Sequence, residues 1–201
     1  MSVLLRFLSY LFHPIFIPLM GTALYFIVSP RNFTLPLIKG VLLQIVILSI
    51  CIPFVFFFLL KNMGLIRSIF LRDVQERKIP VLANMILMLM IIYRVIPSVF
   101  SPPLFYFFVG IIITMSITYL FILFRFKASM HMMGIGGLVV FLIGLSLHYQ
   151  INISLMIACF VLASGAVATS RLYLRAHTKT ELVIGLLIGT IPQLATFIFW
   201  L

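Results

Sequence analysis

Seven apolar runs, at about 5–29, 37–60, 80–99, 104–124, 133–148, 152–172 and 182–201, occupy most of this chain. A helix needs about 20 apolar residues to cross a bilayer, so 201 residues hold six or seven spans and little else. None of the runs alternates as a barrel strand must. In lipid every backbone N–H and C=O must be satisfied within the segment, which leaves the α-helix. Composition agrees: 64% of residues are hydrophobic and 8% charged, whereas a soluble domain is about half apolar and a quarter charged. A soluble globular domain, a disordered chain and a nucleic-acid binder are excluded. The expectation is all-α: one polytopic helical bundle in a single membrane domain over residues 1–201. The fifth run is short and rich in glycine (Gly134, Gly136, Gly137), so six full spans and one partial span also fit. Arg6 precedes an apolar stretch with no small-residue cleavage site, which reads as a retained span.

Charge sharpens the picture. Fourteen Lys and Arg face only three acids, Asp73, Glu76 and Glu181, for a net charge of +11. Cations without internal partners must meet water, phosphate or lipid headgroups. Cys51 and Cys159 sit in apolar runs and form neither a disulfide framework nor a metal spacing.

The breaks between runs are unequal. Ser101-Pro102-Pro103 and Tyr149-Gln150 read as tight, uncharged turns. The breaks at 61–79, 125–131 and 171–181 hold all three acids and ten of the fourteen cations. Two runs separate each of these from the next, and an even number of crossings returns a chain to the same face. The three polar breaks should therefore converge at one membrane surface. Within the first, Leu65, Ile66, Ile69, Phe70 and Val74 can share one side of a helix, away from Arg67, Asp73, Glu76 and Arg77, so 65–77 reads as an amphipathic segment in the interface.

The third break carries the chemistry. It reads Ser170-Arg171, five residues, His177, three residues, Glu181. A neutral, aimed imidazole is a competent nucleophile toward phosphorus. A carboxylate four residues later can take the other ring N–H and fix the tautomer. Arginine offers a planar fork to phosphoryl oxygens. The second break adds Lys127, Ser129 and His131, and a second imidazole can protonate a leaving oxygen. The first adds Arg72, Arg77 and Lys78 as counter-charges. Thr178-x-x-Glu181 is also a capping box before an apolar helix, a role compatible with the catalytic one. His13, before Pro14 in a proline-interrupted run, reads as structural. Arg125, Lys61, Lys179 and Arg175 read as interfacial anchors, and the glycines of the fifth run as points of close helix approach.

The 170–181 string resembles the third signature of the type 2 phosphatidic acid phosphatase (PAP2) superfamily, SRxxxxxHxxxD, with Glu181 for aspartate. Ala128-Ser129-Met130-His131 resembles the second, PSGH, keeping serine and histidine. The first, KxxxxxxRP, aligns on Pro80: Arg72 takes the lysine position and Ile79 the arginine position, with Arg77 and Lys78 one or two residues away. The resemblance covers about 72–185. It implies a PAP2-like core and a membrane phosphatase that hydrolyses a lipid phosphate or pyrophosphate through a phosphohistidine, with no cofactor or metal. His177 would be the nucleophile, His131 the general acid and Glu181 the partner of His177. Arg171, Arg72, Arg77, Lys78, Lys127, Ser129 and Ser170 would bind phosphate. Polyprenyl pyrophosphate, phosphatidic acid, phosphatidylglycerol phosphate and lipid A phosphate all fit, and the expected partners are such lipids and the surrounding membrane, without nucleic acid. A lipid phosphotransferase could use the same residues, and a lipid-binding or transport protein could keep the fold without turnover. The expected location is a bacterial inner membrane. Cation counting places the motif face in the cytoplasm; the family resemblance places it outside, and the extracytoplasmic face is the reading adopted.

Overall fold

The computed structural model describes residues 2–67, 71, 73–96 and 101–201, with side chains from Arg6 onward. It is all-helical, with no strand among the described residues. Among the described residues, six helical segments are long and apolar enough to cross a membrane: Leu35–Asn62, Gln75–Val95, Pro102–Leu123, Met130–Tyr149, Ser154–Tyr173 and Lys179–Phe199. They fit an integral membrane protein. We number the α-helices α1 (Ser2–Leu11), α2 (Ile17–Val28), α3 (Leu35–Val46), α4 (Ile52–Asn62), α5 (Lys78–Met90), α6 (Pro102–Leu123), α7 (Met130–Tyr149), α8 (Ser154–Tyr173) and α9 (Lys179–Thr196).

Prolines and register slips set most boundaries. A five-residue π turn, Ile47–Cys51, joins α3 to α4, with Pro53 just beyond it. Proline has no N–H to give the preceding turn, and a wider turn absorbs that loss. The first apolar run is broken: α1 ends at Leu11, and Pro14–Phe16 forms a 3-10 turn before α2. Proline suits the first turn of a helix and not its interior, so Pro14 and Pro18 start new segments. The run that falls short of a full span is thus the first. The glycine-rich fifth run, read as a candidate for the partial span, is instead the complete 20-residue α7. Ser101-Pro102-Pro103 is also not a free turn. Ser101 caps α6, its Oγ accepting the Leu104 N–H at 3.4 Å, and the prolines fill the first turn.

Helix α7 is the most buried of the six long segments and α8 the least. The reason is glycine. A methyl group on Gly185 of α9 would stand 2.6 Å from the Ser129 carbonyl oxygen, and one on Gly189 would strike the Met133 backbone. Gly137 of α7 faces the Gly189 carbonyl at 3.2 Å from where its own methyl would be. Backbone therefore meets backbone along the α7–α9 seam, the close approach that small residues allow in membranes. The main core gathers around it, with Tyr25, Phe107, Phe108, Phe141 and Leu142 excluded from solvent. Phe107 and Phe141 stack at 4.3 Å between ring centres.

This topology sorts the breaks. The Tyr149 hydroxyl lies 3.4 Å from that of Tyr25 at one end of α7. At the other end the breaks before α5, α7 and α9 come together. The Gln75 side chain donates to the Ile122 carbonyl at 2.9 Å, Lys127 Nζ donates to the Ala176 carbonyl at 2.9 Å, and the Ser129 N–H donates to the Glu181 carbonyl at 3.1 Å. The amphipathic segment expected over 65–77 falls in part on residues 68–70 and 72, outside the described ones. Its described flanks differ from that expectation. Ile66 and Leu71 are buried against Leu60, and Arg77, expected on the polar side, is itself buried. Arg77 Nε donates to the Leu71 carbonyl at 3.1 Å, closing the segment into a turn.

Candidate functional site

Helix α9 begins with a complete capping box. Thr178 Oγ1 accepts the Glu181 N–H and Glu181 Oε2 accepts the Thr178 N–H, both at 3.3 Å. The same Oε2 stands 2.7 Å from His177 Nδ1. The cap fixes the carboxylate, and the carboxylate fixes the ring: Nδ1 carries the proton and donates, so the Nε2 lone pair remains for chemistry. The His177 side chain is only 4% exposed. Burial pushes its pKa down to about 4; Arg171 and Lys127 push the same way, while the Glu181 hydrogen bond opposes them. At neutral pH the ring is neutral, the form a nucleophile needs.

His177 and Glu181 line an open recess of about 330 Å³ together with Lys127, Arg175 and Thr178. Lys127 reaches it across the second break, its ammonium held by the Ala176 carbonyl.

A second group lies beside the recess and is more enclosed. His131, in the first turn of α7, presents Nε2 to the Ser9 carbonyl at 3.1 Å. The carbonyl can only accept, so Nε2 carries the proton. Arg171 donates from one terminal nitrogen to Ser9 Oγ at 2.9 Å. The His13 ring stands edge-on to His131 at 5.3 Å between centres, and His13 Nδ1 accepts the Ile15 N–H at 3.3 Å. His131 and His177 are near enough to interact electrostatically, and so are Arg77, Arg171 and Glu181.

Two polar atoms here are buried without a partner among the described residues: Arg171 Nε and Ser129 Oγ. Each unsatisfied buried donor costs about 1–3 kcal/mol. Ser129 occupies the N-cap position of α7 without capping it. Both atoms are donors, and both belong to the set expected to bind phosphate. The rest of that set is spread out. Ser170 is fully buried in the last turn of α8, its carbonyl accepting the Leu174 N–H. Lys78 begins α5 beside Arg77. Arg72 lies outside the described residues. Among the described residues no three of His, Cys, Asp and Glu gather as metal ligands would.

Sequence reasoning missed Ser9 and gave His13 only a structural role. Neither has a local signal: Ser9 is one serine in a short apolar helix, and only the docking of α1 beside α8 brings it between Arg171 and His131. No family profile, curated protein or solved structure matches this chain.

Proposed function

We propose that this protein is a membrane phosphatase acting on a lipid phosphate or pyrophosphate, with a PAP2-like core and a covalent phosphohistidine. The observation that carries the reading is the His177–Glu181 pair: a neutral imidazole with its Nδ1 proton engaged at 2.7 Å, at the edge of a recess shared with Lys127.

His177 Nε2 attacks phosphorus while the bond from phosphorus to the lipid oxygen breaks. His131, entering the step as the imidazolium, gives a proton to the departing oxygen and becomes a neutral ring, leaving a lipid alcohol. His131, now a base, takes a proton from water, whose oxygen attacks phosphorus; the P–N bond breaks and phosphate leaves. Arg171 and Ser129 supply the unpartnered donors Nε and Oγ to phosphoryl oxygens, and Lys127 and Arg77 add positive charge. Positioning and charge neutralisation account for most of the barrier reduction in phosphoryl transfer. His131 acts from the nitrogen that the Ser9 carbonyl now occupies, so this step requires α1 to yield. The apolar tail stays in lipid.

One observation favours a second reading. The Ser9–His131 contact ties up the proposed acid, as expected of a lipid-phosphate-binding protein without turnover. Phosphate release from a panel of lipid phosphates, with EDTA present, separates the two. Wild type is expected to release phosphate, and His177→Ala at least about 10³-fold less, as for loss of a nucleophile. Equal rates in the two proteins would overturn the phosphatase reading.

A further inference from the structure

Helices α6 and α8 end at this face in the same way. After α6 the Arg125 N–H donates to the Ile122 carbonyl at 3.0 Å and the Phe126 N–H to the Phe121 carbonyl at 2.9 Å. After α8 the Arg175 N–H donates to Leu172 at 2.9 Å and the Ala176 N–H to Arg171 at 3.0 Å. This pair of bonds is a closing motif that puts one residue in the left-handed region, a place usually taken by glycine because a Cβ is disfavoured there. Here that residue is arginine both times, with φ 59° at Arg125 and 49° at Arg175. A cation near a helix C-terminus gains from the dipole, and that gain is common to both.

The surroundings separate them. Arg175 lines the recess with Lys127, His177 and Glu181, and Arg125 does not. The recess's one carboxylate is engaged by His177 and by the Thr178 N–H. Lys127 is pinned to the carbonyl of Ala176, the residue after Arg175. The left-handed turn thus sets Arg175 two residues before His177 on the wall of the recess that Lys127 also lines, whose one carboxylate among the described residues, Glu181, is already engaged.

We infer that Arg175 binds phosphoryl oxygens of the ligand in the recess, a role beyond interfacial anchoring. The inference rests on the phosphate reading of the site. A planar fork on the recess that Lys127 also lines suits a phosphate with its remaining ester, or a diphosphate.

The test uses the full chain in detergent, with R175G, R175Q and R125G. The probes are inorganic phosphate, for calorimetric affinity, and one hydrolysed lipid phosphate, for kcat and KM. Glycine relieves the left-handed strain at either position, so R175G and R125G should melt at or above the wild-type midpoint. R175G and R175Q should each lose about tenfold or more in phosphate affinity, as removal of a charge-assisted fork does, with KM rising more than kcat falls. R125G should stay within twofold of wild type. Affinity within twofold in R175Q, an equal loss in R125G, or no phosphate binding by wild type would each overturn the inference. Loss of phosphate binding in R175G alongside lipid turnover that survives His177→Ala would leave Arg175 as a ligand residue and remove the phosphatase reading.

Discussion

His177 is oriented by a carboxylate four residues along the chain, whereas His131 is oriented by a carbonyl 122 residues away. The first pair forms as soon as α9 starts, because the capping box that begins the helix also sets the carboxylate. The second exists only after α1 has docked beside α8 and placed Ser9 against α7. Local spacing yields a ring with its tautomer fixed, and burial beside Arg171 and Lys127 keeps that ring neutral. Tertiary docking yields a ring that is enclosed and already engaged. The proposed nucleophile is thus oriented by its own helix start, while the proposed acid is held by a contact from a distant helix.

That contrast breaks at His131 with the largest effect. His131→Gln keeps a donor toward Ser9 but removes the titratable proton. It should lower lipid-phosphate turnover by about 10²–10⁴-fold, the contribution of a general acid, with little change in melting temperature. Steady-state kinetics decide it: a rate within about threefold of wild type would make His131 a tether for α1 and nothing more.

The His177 side of the contrast is sharpened by pH. Its folded pKa, about 4, lies below the ordinary value of 6.5. The neutral ring therefore persists at mildly acid pH, and turnover should hold until the pH approaches 4. Stability has the same sign: between pH 6.5 and 4 the unfolded chain binds a proton that the folded one refuses, so stability falls as pH falls through that window. Glu181→Gln removes an influence that raises the pKa. It should move the acid limb lower still and cut turnover about 10–100-fold, as lost orienting partners do. A pH–rate profile centred near 6.5 would contradict the burial argument.

The seam that joins the two regions gives the smallest change. Gly185→Leu forces a side chain into the Ser129 backbone. Overpacking of this kind costs about 1–3 kcal/mol, and it strains the Ser129–Glu181 hydrogen bond that links the second break to the third. A lower thermal midpoint with partial loss of turnover is expected, and an unchanged midpoint would mean that the α7–α9 contact is looser than its geometry.

Much of this was legible before any coordinates. The apolar runs dictate helices because lipid offers no partner for a bare backbone, and six of them are long enough to span. The even count of runs between polar breaks fixes that 61–79, 125–131 and 171–181 share one end, since each crossing reverses the chain. The spacing of Thr178, His177 and Glu181 is geometry internal to one helical start, so it reads directly from sequence. Which run would fall short did not read correctly. Glycine content suggested the fifth, but glycines that look like weakness in isolation are what let α7 lie against α9 and become the most buried helix, while Pro14 divided the first.

The company each charged group keeps came from long-range packing alone. Ser9 between Arg171 and His131, His13 against His131, Arg77 turned inward onto Leu71, and Arg175 on the recess wall while Arg125 is not: none has a spacing to betray it. The helical spans, their alternation and the His177–Glu181 pair follow from local backbone needs and from counting crossings. Contacts between residues far apart in the chain depend on how helices rotate and approach, and that is set by side-chain volume summed over a whole seam.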